Sequence, residues 1–502
     1  MPPEQRFFEL WGIQQDLSFG SAILQWDQET YMPPSGAEAR GKILATLAEI
    51  KHAKMVSAEL QDAIEAAAEA AEPDSELEAQ VREARRLVSR EVKIPAALAK
   101  ALAEAESAGL VAWQNARKEG DFGLFRDRLE ETVRLNKEKA SALAEGGNPY
   151  DAMLDLYEPG TTEAHLVPMF AELRGVLAPM IKAVADSGVV VDESPVQGAF
   201  DPAQQRSFTK KIAAAMGYDF EGGRLDKTTH PFCTTFGRGD VRITWRWQED
   251  DIRPALYGVM HEAGHGLYEQ GIGPDPRTPL GSASGLGMHE SQSRLWENMV
   301  GRSEAFWEWA MPHYAEAFPD KKGLSPAKMQ PALNTCKPSL IRVEADEATY
   351  NLHVAARFEI ERQLFADQVT VAELPELWDQ TYQDLLGVRA ASSSEGLLQD
   401  IHWAMGAFGY FPTYSLGNLI CAQLFMAAGE ALGDLNAMFA RGEFAPLLGW
   451  LRENIHQHGR RYSTHEMVRN ATGEALTAGP LLHHLTTTAE KVYGVSVGAQ
   501  RG

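Results

Sequence analysis

The sequence predicts a mainly α-helical fold, one large domain with a small β-hairpin, and three observations carry that reading. From Pro3 to about Glu145, residues rich in Ala, Glu, Leu and Arg repeat with helical spacing. Around Thr228 to Trp247 the apolar period shortens to alternation. After Arg253 helical spacing returns almost to the end, apart from the Gly/Pro-rich stretch Gly271 to Gly287.

Taken in order, the N-terminal part divides into several helices at Met32-Pro33-Pro34-Ser35-Gly36, Glu72-Pro73-Asp74 and Ile94-Pro95. Proline removes a backbone donor and turns the preceding residue away from helix. Gln61 to Arg90 reads as a solvent-facing helical hairpin, because acidic and basic residues on neighbouring turns support a helix without a partner. In the alternating segment Val241, Ile243, Trp245 and Trp247 are apolar while Asp240, Arg242, Thr244 and Arg246 are polar, a strand with one buried face. His230-Pro231-Phe232 before it and Gly237-Arg238-Gly239 as the turn complete a β-hairpin. No repeat or flexible linker divides residues 1–502, so a single domain in two lobes around a cleft is expected.

Composition bounds the function. With 44% hydrophobic residues the chain can bury a large core. Cys233, Cys336 and Cys421 are far apart and lack CxxC spacing, which argues against a disulfide framework or a thiolate metal site. The N-terminus has no basic start followed by an apolar run, so secretion is not expected and the cytoplasm is. Leu416 to Ala428, the longest apolar stretch, is interrupted by Asn418 and Gln423 and falls short of the roughly 20 residues that span a bilayer. A formal charge of −23 repels phosphate backbones and anionic lipid, so neither nucleic acid nor membrane is an expected partner.

Chemistry concentrates in Arg253 to Gly271, where Pro254 suits a first helical turn and Gly271 a C-terminal cap. Within that helix His261 and His265, four residues apart, lie about 40° apart on one face, so two imidazoles can converge on one ion. Glu262 stands beside them as a base for water acidified to a pKa of about 7. A catalytic zinc takes three protein ligands, and Gly271 stands where a third histidine of the metzincin pattern would be. A carboxylate is therefore sought among Glu269, Glu290 and Glu297. Met288 to Met299 reads as a second helix against the first, and Glu290 is the choice. Glu269, near a helix end, reads as an exposed carboxylate, and Glu297 as a support behind the ligands.

With these residues in place, the sequence resembles the carboxypeptidase Taq family of zinc metallocarboxypeptidases along nearly its whole length. The likeness is carried by Trp26-Asp27 with Thr30 and Met32-Pro33, His230-Pro231-Phe232, Asp240-Val-Arg-Ile-Thr244, His261-Glu-Ala-Gly-His265, His289-Glu-Ser-Gln-Ser293, Ile341-Arg-Val-Glu-Ala-Asp346 and Gly396-Leu-Leu-Gln-Asp-Ile-His-Trp403. The resemblance implies a helical, neurolysin-like fold with a deep active-site cleft, and a homodimer. It implies His261, His265 and Glu290 as zinc ligands, Glu262 as base, and His230 among the substrate-binding residues. It also implies release of single residues from the free C-terminus of peptides, with broad side-chain tolerance and poor action at proline. Cobalt is a possible substitute for zinc.

Peptide hydrolysis also needs a donor for the oxyanion. After His402 the run Phe408-Gly-Tyr-Phe-Pro-Thr-Tyr414 offers phenols, Tyr414 first and Tyr410 second, and the resemblance to the wider fold implies that His402 supports the substrate or intermediate nearby. A free terminal carboxylate calls for a guanidinium, and Arg342 and Arg242 are the two candidates. The structural alternative pairs Arg342 with Asp346 or Glu344, and Arg242 with Asp240. An edge of the hairpin is a place for an extended peptide. An oligoendopeptidase using the same chemistry and a non-catalytic peptide-binding protein with a structural zinc are the competing readings.

Overall fold

Helices Pro3–Thr30, Ala37–Met55, Ala58–Ala70 and Glu76–Lys93 follow one another, and the next begins at Ala96, so three breaks fall at the expected prolines. A further break at Val56-Ser57 was not foreseen and is set by Ser57, whose side chain accepts from the Leu60 N–H as a cap. The computed structural model describes residues 2–496; the ends of the expected domain lie outside the described residues. Two compact units emerge, each drawn from separated stretches of chain. The first comprises Met1–Val92, Asp192–Leu333 and Leu424–Ala475, the second Lys93–Val191, Asn334–Gln423 and Leu476–Gly502.

In the first unit the expected helical hairpin is present but is not solvent-facing all round. Leu60, Ala63, Ile64 and Ala67 of one arm and Val81, Ala84 and Val88 of the other bury against Phe7, Leu10 and Trp11. The charges that suggested a solvated element occupy only the outer face, and small Ala side chains hide the inner stripe from a reading based on charge.

The β-hairpin also forms, as part of a larger sheet. β2 (Cys233–Thr235) pairs antiparallel with β3 (Val241–Trp245), and β1 (Gly223–Lys227) pairs parallel with β3 on its other side. The sheet order is β1-β3-β2, which makes β2 an edge. β1 carries no apolar alternation: Asp226 is buried and is held by Arg224 and by the Tyr31 hydroxyl, which donates at 2.5 Å. Thr244, expected on a polar face, is fully buried because its hydroxyl bonds both the N–H and the C=O of Phe232.

The second unit is helical throughout its named elements, among them Ala96–Glu119, Gly123–Ala144, Glu163–Asp186 and Glu347–Phe365. Helix Pro412–Leu432 extends beyond the apolar stretch read from the sequence, and at 21 residues it is long and apolar enough to cross a membrane. Its apolar window is 67% buried inside the protein, as in a core helix.

Candidate metal centre

Helix Arg253–Gly271 starts with Pro254 in its first turn, as expected. Gly271 is not a left-handed cap. A Cβ there would lie 2.6 Å from Nδ1 of His456, so the glycine makes room for a neighbouring side chain. Gly264 has the same task at the site itself. Its Cβ would meet the Gln292 carbonyl oxygen at 2.6 Å and Ser293 Cα at 2.7 Å, so only glycine lets helix Leu286–Arg294 approach this closely. That approach brings Glu290 to the two histidines. A π-helical turn, Leu295–Val300, follows directly and carries Glu297.

Three atoms converge. Oε2 of Glu290 lies 3.4 Å from Nε2 of His265 and 3.6 Å from Nε2 of His261. Ligand atoms about 2.1 Å from a tetrahedral zinc are spaced about 3.4 Å apart, so both separations fit such an ion. All three groups offer a ligand atom within 4.8 Å of the others. His261 turns its Nδ1 to Oε2 of Glu297 at 2.8 Å. Arg294 donates to Oε1 of Glu290 at 2.7 Å and to Glu297 at 3.2 Å, and Arg302 lies 3.5 Å from Glu297. Glu297 therefore holds the ring nitrogen of His261 that does not face Glu290. His265 turns its Nδ1 to Nδ1 of His289 at 2.5 Å, and Nε2 of His289 meets Oε1 of Glu269 at 2.9 Å.

Glu269 is thus not the exposed carboxylate expected near a helix end: its side chain is 12% exposed and engaged with His289. From the sequence Glu269 is weighed only as a third ligand and His289 is named only within a family motif, yet a signal for a role behind the site is present. Glu269 follows His265 by four residues on the same helical face, and His289 precedes Glu290.

Charge follows this geometry. Burial opposes ionisation of Glu290, but Arg294 and His261 outweigh it and hold the carboxyl well below its ordinary range. Burial likewise opposes Glu297, which Arg294 and His261 bring down to about 2. For His261 burial is overcome by Glu290 and Glu297, leaving it at about 8, whereas His265, with burial and His289 acting together, falls to about 3. Burial pushes Glu262 up to about 7. Its side chain is 6% exposed overall and forms no hydrogen bond or ion pair with another described residue.

The other first-unit candidates are placed apart from this cluster in role. Arg242 on β3 forks onto Asp240 with two 2.8 Å bonds, the pairing foreseen as its structural alternative, and stacks over Trp26 at 4.2 Å. His230 is exposed in the bend before β2.

The second unit gathers the remaining ones. Arg342 is buried and donates to Oδ1 of Asp400 at 2.8 and 3.1 Å and to the Tyr350 hydroxyl at 2.8 Å. Its partner is therefore neither Asp346 nor Glu344. Asp346 caps helix Glu347–Phe365 by accepting from the Thr349 N–H at 2.9 Å, and Glu344 is exposed. Arg357 closes the other oxygen of Asp400 at 2.7 Å. His402 lies 5.1 Å from the Tyr410 ring and 6.3 Å from that of Tyr414, whose hydroxyl is 3.5 Å from Nε2. Burial lowers His402 to about 4, and its Nδ1 is buried without a partner.

The comparisons with known proteins cover nearly the whole chain. The family described as carboxypeptidase Taq (M32) metallopeptidase matches residues 12–489. Thermostable carboxypeptidase 1 of Thermus thermophilus is 42% identical over 98% of this chain and 100% of its own length. Carboxypeptidase 1 of Bacillus subtilis is 39% identical over 98% of each. The crystal structure of the M32 carboxypeptidase from Deinococcus radiodurans R1 superposes with a TM-score of 0.96 at 40% identity, covering 99% of this chain and 100% of that one. With the donor atoms in place and the likeness running end to end, the chain belongs to the carboxypeptidase Taq (M32) family of metallopeptidases, peptide hydrolases of the carboxypeptidase class.

Proposed function

We propose that this enzyme cleaves the last peptide bond of peptides with a free C-terminus, releasing single residues, with zinc held by His261, His265 and Glu290. The observation that carries the reading is the tetrahedral spacing of three lone-pair atoms, 3.4 and 3.6 Å from Glu290 to the two imidazoles, beside a buried carboxylate, Glu262. Two imidazoles and a carboxylate suit zinc, and cobalt accepts the same set. A divalent cation bound there supplies Lewis acidity, lowering the pKa of water and taking up negative charge on the scissile carbonyl oxygen.

Glu262 does the proton work. It takes a proton from water as the water oxygen bonds to the carbonyl carbon, and delivers it to the amide nitrogen as the carbon–nitrogen bond breaks. Tyr414 is the phenol we assign to the developing oxyanion, with Tyr410 as the alternative and His402 orienting the substrate; the buried, partnerless Nδ1 of His402 supports a role outside packing.

For the terminal carboxylate both arginines stand, each already trained on an internal carboxylate. Arg242 keeps 18% of its side chain exposed against 5% for Arg342, which favours Arg242 as the more reachable. The β2 edge supports broad tolerance, because a peptide added there is held by its backbone, and proline, lacking an N–H, pairs poorly. Cys233, Cys336 and Cys421 are all unbridged, which fits a reducing cytoplasm.

Matched peptides with free and amidated C-termini test the reading. Cleavage of the free peptide alone, one residue at a time, is expected. Equal cleavage of both, with internal cuts, would replace it with an oligoendopeptidase.

A further inference from the structure

We propose that a relay of two side chains, His289 and then Glu269, holds His265 as a ligand, making His289 and Glu269 positioning residues of the metal centre. The inference rests on the reading of His265 as a ligand through Nε2, the atom 3.4 Å from Glu290.

Donor and acceptor roles are then fixed along the chain of contacts. A ring nitrogen that gives its lone pair to a cation leaves its proton on the other nitrogen, so Nδ1 of His265 is a donor. Its neighbour at 2.5 Å is Nδ1 of His289, which must accept. His289 therefore carries its own proton on Nε2 and donates it to Oε1 of Glu269 at 2.9 Å. Reversing one member alone sets two donors or two acceptors face to face.

The packing holds this arrangement. The His289 ring lies 4.5 Å from that of His265 and 5.5 Å from that of buried Tyr268, and the His289 side chain is 20% exposed. His261, by contrast, meets its carboxylate directly in Glu297 at 2.8 Å. At His265 an imidazole stands between ligand and carboxylate, so the relay fixes tautomer and ring angle more than it adds charge. Groups that orient ligands in this way change metal affinity about 10–100-fold when removed.

The test is zinc affinity, read on the metal-stripped full chain by competition with a chromophoric chelator, together with the visible spectrum of the cobalt-loaded form. His289→Leu is expected to bind zinc about 10–100-fold more weakly and to shift the cobalt bands. His289→Asn is expected to stay within about threefold of the wild type, because Oδ1 of asparagine takes the place of Nδ1 and accepts the same proton.

Should His289→Leu not fold, Glu269→Ala carries the test. Glu269 borders a cavity of about 520 Å³, so truncation opens onto existing space, and zinc affinity is expected to fall by at least about threefold. Wild-type affinity and an unchanged cobalt spectrum in His289→Leu, or wild-type affinity in Glu269→Ala where that variant is used, would overturn the relay. A wild-type chain that binds no zinc at all would instead overturn the metal reading beneath it.

Discussion

Each unit buries a cluster of charged side chains, and the two clusters use their atoms in opposite ways. In the second unit Asp400 is closed on one oxygen by Arg342 and on the other by Arg357, whose remaining donors go to the His353 carbonyl, the Tyr382 hydroxyl and Gln399. Donors meet acceptors throughout. In the first unit Nε2 of His261, Nε2 of His265 and Oε2 of Glu290 face one another, while the other nitrogen of each ring is turned outward to Glu297 or His289. A divalent cation would take a lone pair from each of the three at once. Burial and charge alone do not separate a binding site from a structural knot; the direction of the lone pairs does.

The sharpest way to test the contrast is to remove one acid from each cluster. Glu262→Gln should lower turnover about 10²–10⁴-fold, the range of a lost general base, while elemental analysis still finds one metal per chain. Asp400→Asn should act on stability, since it leaves Arg342 and Arg357 buried around a neutral group. A loss of about 3–5 kcal/mol is expected in denaturant unfolding.

The pH dependence of that loss has a fixed sign. Burial opposes ionisation of Asp400, but Arg357 and Arg342 outweigh it, and the carboxyl lies well below its ordinary range. Its stabilising effect is therefore full above the unfolded pKa of about 3.9 and fades as pH falls toward the folded value. The gap between Asp400→Asn and the wild type should be constant near neutrality and narrow below about pH 4.

Smaller effects follow. Glu297→Gln keeps an acceptor for His261 but removes the charge, and should weaken zinc binding by about tenfold in chelator competition. Arg242→Ala should raise KM for free-terminus peptides by about tenfold and leave thermal stability within about 1 kcal/mol, because its partner Asp240 is 41% exposed. If Arg342→Ala alone raises KM, the carboxylate role passes to the second unit.

The sequence made half of this comparison legible. His261 and His265 were readable because four-residue spacing puts them on one face whatever surrounds the helix, and Glu290 and Glu297 because they lie on the next helical run. The β2–β3 hairpin was readable from its alternation, whereas β1 was not, its buried Asp226 being satisfied by Arg224 and Tyr31, the latter 195 residues away. Long-range partners hid the second cluster too. Asp400 lies 58 residues from Arg342, and nearer carboxylates at Glu344 and Asp346 were plausible until the fold engaged Asp346 as a helix cap. Glu269 looked like a helix-end carboxylate because its partner His289 lies 20 residues away on another helix.

The central claim is that His261, His265 and Glu290 grip one divalent ion, and anomalous diffraction at the zinc absorption edge from crystals of the zinc-loaded protein tests it most directly. The account predicts a single strong peak about 2.0–2.2 Å from Nε2 of both histidines and from Oε2 of Glu290. An active crystal form whose peak lies elsewhere, with no density between those three atoms, would contradict it.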